Sequence, residues 1–123
     1  MGRHNFEIEL NGEKYTCRTT FEAIDEFETK ANMSILTAWE SLEGGRYKFS
    51  VIATAIWAAI NGERKVIGQK PMLWATVGQM VQEHGFTKCV IDANTFFFYS
   101  MPDRNKESKD IEKSEEDQKK NIE

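Results

Sequence analysis

The run Ser50 to Ile60, SVIATAIWAAI, constrains the fold of this chain more than any other stretch. No charged residue interrupts it, and it is too short to cross a bilayer, which takes about 20 apolar residues. Four alanines and three isoleucines surround Trp57. That composition predicts a helix apolar on nearly every side, the kind that sits in the middle of a domain with other elements packed around it. A buried strand is the competing reading, because Val, Ile and Thr also favour strands. The alanines and the length favour the helix.

The elements that would surround such a helix can be read in order. Phe6, Ile8 and Leu10 alternate with Glu7 and Glu9, and a second strand-like run follows from Lys14 to Arg18. Asn11-Gly12 between them suits the positive φ angles of a type I′ turn, so a β-hairpin is predicted. Thr19 with Glu22 three residues on reads as a capping box opening a helix. Phe21, Ile24, Phe27 and Ala31 form its apolar stripe, with Glu22, Asp25, Glu26 and Glu28 facing out. Asn32 is placed to end that helix and Ser34 to cap the next, whose stripe is Ile35, Leu36, Trp39 and Leu42 before Gly44-Gly45. The central helix starts as early as Tyr47, stacks Phe49, Ile52, Ile56 and Ile60, and closes at Asn61-Gly62. Glu63 to Lys70 reads as a loop. Pro71 suits the first turn of a fourth helix carrying Leu73, Val77, Met80, Val81 and His84 on one face, with Gly85 as its stop. Thr87 to Met101 reads as the last helix, lining up Val90, Ala93, Phe97 and Met101.

The fold class expected is therefore mainly α (α+β): an N-terminal β-hairpin followed by a bundle of about five helices, one globular domain over residues 1–102. From Asp103 to Glu123 the composition turns abruptly to charge. Too little apolar area remains there to offset ordering entropy, so a disordered tail is expected.

Composition excludes several functions. A formal charge of −4 argues against broad phosphate contact, so no nucleic-acid partner is expected. Nor is a membrane partner expected. Cys17 and Cys89 fit a reduced compartment as easily as one disulfide, and they form no metal motif. The amino terminus lacks the apolar core of a signal peptide, and its sixth position is not the Ser or Thr of a myristoylation site, so the chain reads as cytosolic. Neither His4 nor His84 sits in a convergent catalytic set. The cluster Asp25-Glu26-Glu28 reads as a solvated helix face rather than a metal site. No catalytic residue, cofactor or metal is expected.

The run Phe96-Phe97-Phe98-Tyr99 stands out, since four consecutive aromatics span the circumference of a helix. Burial in a crowded core is one reading, and a protein-binding or self-association patch is the other. The candidate partner-binding residues are Trp74, Phe96, Phe98 and Tyr99, with Phe98 or Tyr99 favoured as accessible because they lie off the Val90-Ala93-Phe97 stripe.

Glu9-Leu10-Asn11-Gly12-Glu13-Lys14-Tyr15-Thr16-Cys17-Arg18 and then Thr20-Phe21-Glu22-Ala23-Ile24, followed by Val77-Gly78, Met80-Val81 and Gly85-Phe86, occur in an order that resembles the tail assembly chaperones of long-tailed phages. The branch it is most similar to is that of gene transfer agents and related prophages of alphaproteobacteria. The resemblance spans about Ile8 to Tyr99. The stretch with Lys65, Lys70 and Pro71 and the charged tail depart from the family pattern. The resemblance implies a non-enzymatic protein of the bacterial host cytoplasm that binds and solubilises the tape measure protein. The tail tube protein is a second candidate partner, and a homo-oligomer is a further expectation. Two rival functions remain open: a structural head–tail or tail component retained in the particle, and a small helical regulator binding nucleic acid.

Overall fold

The computed structural model describes residues 5–103. It contains an antiparallel hairpin, β1 (Asn5–Leu10) and β2 (Glu13–Arg18), followed by α1 (Phe21–Ala31), α2 (Ile35–Glu43), α3 (Phe49–Val66) and α4 (Trp74–His84). A short 3₁₀ turn, Phe86–Cys89, then leads into α5 (Val90–Ser100). The chain thus has the expected hairpin and five helices. The charged segment expected to be disordered lies outside the described residues from position 104 onward.

Asn11 and Gly12 take φ angles of 54° and 85°, which closes the hairpin with Leu10 opposite Glu13. Ile8, Leu10 and Cys17 turn inward. The turn is tied to the end of α4: the Asn11 backbone N–H donates to His84 Nδ1 at 3.1 Å, and its side-chain amide donates to the Met80 carbonyl at 3.2 Å. His84 therefore works as a hydrogen-bond acceptor between two elements.

The helix starts are set by local chemistry, with one change from the sequence reading. Thr20, not Thr19, caps α1, its hydroxyl accepting from the Ala23 N–H at 3.1 Å. The expected capping box does not form, since Glu22 lies one position too early to reach back to the cap. Asn32 ends α1 in the left-handed region at φ 55°, and Ser34 caps α2 by accepting from Thr37 N–H at 3.0 Å. Glu28 is not on a solvated face: its carboxylate accepts from the Ile35 N–H at 3.0 Å and so satisfies a second donor at the start of α2.

α3 is the axis of the fold, packed by α1, β2, α4 and α5. Ile52, Ile56 and Ile60 are buried with Leu10, Cys17, Phe27, Val77, Val81, Phe96 and Phe97. The helix does not stop at Asn61-Gly62 but runs on to Val66, so the predicted loop begins only after that point. Asn61 is buried because its amide donates to the Met72 carbonyl at 3.0 Å and accepts from the Met72 N–H at 2.8 Å. Gly62 stays helical where the backbone of β2 passes so closely that a Cβ would lie 2.2 Å from the Arg18 carbonyl oxygen.

Those contacts also displace the start of α4. Both backbone groups of Met72 are held by α3, and Trp57 Nε1 donates to the same carbonyl at 3.0 Å. Pro71 therefore precedes the helix in extended chain, and α4 begins at Trp74. The predicted helix from Thr87 is likewise divided, because the Lys88 N–H bonds to Gly85 O and leaves one 3₁₀ turn before α5. Both cysteines are free and buried. Burial, then the nearby Asp92 charge, pushes the Cys89 thiol up to about 11, and the Cys17 thiol is raised further by its deeper burial, then by the charges of Asp92 and Glu63. Among the described residues, no helix is long and apolar enough to cross a membrane.

Candidate partner-binding surface

The four aromatic residues singled out in the sequence do not form one surface. Phe96 is fully buried, with its ring 6.0 Å from that of Phe27, so it belongs to the core and not to a binding patch. Phe97 meets Phe27 edge-on at 5.2 Å. Phe98 is 39 % exposed on the far side of α5, packed edge-on against Trp39, and Tyr99 is half-buried beside Phe6. One helix thus resolves the run by turning two rings inward and two towards its flanks, as its 3.6-residue period requires.

Trp74 lies elsewhere, on the side of α4 that meets α1 and α3. Its indole N–H donates to Thr54 Oγ1 at 3.0 Å, and Lys30 Nζ stands 4.5 Å over the centre of its ring. Leu73 beside it is 73 % exposed rather than part of the apolar face predicted for α4. Met72, held by Asn61, turns the chain so that Leu73 points outward.

Two clefts along the α1–α3 seam were not foreseen from the sequence. The first, about 400 Å³, is bounded by Thr20, Phe21, Glu22, Gly62, Lys65 and Val66. Phe21 is 84 % exposed there and Val66 is exposed too, although Phe21 looked like part of the α1 stripe. Helical geometry explains the miss. At about 100° per residue, Ala23, Ile24, Phe27 and Ala31 cluster within one arc, and Phe21 lies roughly 110° from its centre. The corrected cap at Thr20 makes Phe21 the first helical residue, where no preceding turn covers it. Placing Ala23 on the stripe was the signal that could have revealed this.

The second cleft, about 360 Å³, is lined by Asp25, Glu26, Thr29, Lys30 and Trp57. Trp57 is half-buried rather than a core residue. Between the clefts Lys65 is paired with Glu26 and lies 3.6 Å from Glu22. The hydrogen bond with Glu26 is the main reason the Lys65 ammonium is held above its ordinary pKa.

The polar residues lining the two clefts are Thr20, Glu22 and Lys65 in the first and Asp25, Glu26, Thr29 and Lys30 in the second, while both thiols lie in the core. Among the described residues no group of three or more His, Cys, Asp or Glu is arranged to hold a metal ion. No protein-family profile, no curated protein and no solved structure matches this chain.

Proposed function

We propose that this chain is a non-enzymatic assembly chaperone of the phage tail type, encoded by a phage, a prophage or a gene transfer agent. It binds the long helical tape measure protein, keeps it soluble, and leaves as tail tube subunits polymerise. The observation that carries the proposal is the exposure of large apolar side chains on a folded helical frame, above all Phe21 at 84 %, Ile91 at 75 % and Leu73 at 73 %. The motif resemblance from Ile8 to Tyr99 gives the partner its name. An amphipathic helix docks by seating anchors at i, i+3 and i+7 against such side chains. Modest affinity per copy, multiplied by many copies along one target, holds the target in solution while leaving each copy removable. The action proposed belongs to the cytoplasm of a bacterial host.

The test is co-expression with a long helical tape measure protein. The expected result is a soluble complex containing several copies of this chain per partner, measured by light scattering. Phe21→Ser and Leu73→Ser should each weaken it by about 1–3 kcal/mol, the range of an interface anchor, without loss of helical circular dichroism. A partner that stays insoluble beside the folded chain overturns the proposal. Recovery of this chain at fixed stoichiometry in finished particles would replace the chaperone with a retained component.

A further inference from the structure

The cleft at Trp57 has a chemistry distinct from the apolar one at Phe21. Its base is an indole whose N–H is already given to the Met72 carbonyl at 3.0 Å. What Trp57 offers a ligand is therefore its ring, with negative density on the face. Of the two carboxylates on the rim, Glu26 is taken by Lys65. Asp25 is exposed and, among the described residues, its carboxylate forms no ion pair or hydrogen bond. The cation on the rim, Lys30, has its ammonium drawn over the neighbouring Trp74 ring. An aromatic face beside an unpaired carboxylate suits a flat cation, which stacks on the ring while its charge meets the acid.

We infer that the Trp57 cleft receives an arginine side chain from a helical segment of a partner protein, with the guanidinium stacked on Trp57 and paired with Asp25. The cleft is large enough for one long side chain and too open to enclose a free small molecule. The net charge of −4 favours a basic partner segment in the same sense. The inference deepens the chaperone reading and rests on it only for the identity of the partner. It adds a polar contact beside the apolar ones, giving direction and register to a surface that apolar anchors alone would leave unspecific.

The experiment uses the full chain and a capped, alanine-rich helical peptide of about 18 residues, long enough to hold its helix in water. The peptide carries one central arginine, and two companions carry citrulline or glutamate there. The readout is the Trp57 indole N–H resonance during titration. The arginine peptide should shift it saturably, and the citrulline peptide should bind about tenfold more weakly, since it keeps the shape and loses the charge. Asp25→Lys should weaken the arginine peptide by about tenfold or more, with the thermal midpoint unchanged because the side chain is exposed. The inference is overturned by equal binding of the arginine and citrulline peptides, by an unmoved Trp57 resonance, or by preference for the glutamate peptide, which would make Lys30 the receptor. Its failure is distinguishable from that of the chaperone proposal. Asp25→Lys that leaves the solubilised complex intact refutes the arginine site alone, whereas a saturable arginine site in a chain that solubilises no partner refutes the chaperone alone.

Discussion

Replacing Gly62 by alanine tests the packing at the centre of the fold, because two effects of known size oppose each other there. In a helix interior alanine is better than glycine by about 1 kcal/mol. At position 62, however, the new Cβ would lie 2.2 Å from the Arg18 carbonyl oxygen and 3.2 Å from Ala23 Cβ, where ordinary contact starts at 3.4 Å. The obstacle is backbone, so either β2 or α3 must retreat by about 1 Å, which is overpacking of the kind that costs about 1–3 kcal/mol or more. The retreat also pulls on the partly buried Arg18–Glu63 pair, 3.0 Å apart, and on the hairpin face bearing Cys17. With backbone as the obstacle the steric cost belongs at the top of that range, about 3 kcal/mol, which exceeds the helix gain and leaves a net loss of about 2 kcal/mol. For a domain of this size that is a fall of about 8–16 °C in thermal midpoint. Gly78 is the matched control: it is helical, yet among the described residues nothing beyond its chain neighbours and its own helix backbone would lie within 4 Å of an added Cβ. Gly78→Ala should stabilise by about 0.5–1 kcal/mol. Urea titrations of both variants, followed by circular dichroism, should give opposite signs. Equal gains from both would refute the close approach of β2 to α3.

Three further outcomes are expected. Asn61→Ala should cost about 2–3 kcal/mol in urea titration, because it leaves the Met72 N–H without its partner and frees the segment before α4. Asp92→Asn should raise the thermal midpoint at neutral pH. Burial raises the Asp92 pKa, so the folded state favours the protonated form, and that advantage, present below the ordinary carboxylate range, is lost as pH rises through the raised value; the gain from Asn should fade on acidification. Cys17 and Cys89 should resist a thiol reagent at neutral pH until the chain unfolds, since both are buried with raised pKa values; fast labelling of the native protein would contradict their placement.

Much of the secondary structure was legible because its signals are local. Asn11-Gly12 closes a hairpin, Asn32 adopts φ 55°, and Ser34 caps α2 through hydrogen bonds between residues close in sequence. The apolar run around Trp57 likewise pointed to a central helix, because apolar residues on nearly every side call for neighbours on nearly every side. The candidate surface was far less legible. Asn61-Gly62 has the form of a helix terminator, and only the arrival of Met72 and Arg18 from elsewhere in the chain keeps both residues helical and buried. Phe96 and Phe98 are identical in type and two residues apart, but the position of Phe27 buries one while the flank of α2 leaves the other half open. Phe21 and Trp57 looked like core because they are large and apolar, a property that sequence displays. What leaves Phe21 exposed and Trp57 half-buried is that, among the described residues, no element covers one side of each, and periodicity along a single helix carries no information about that.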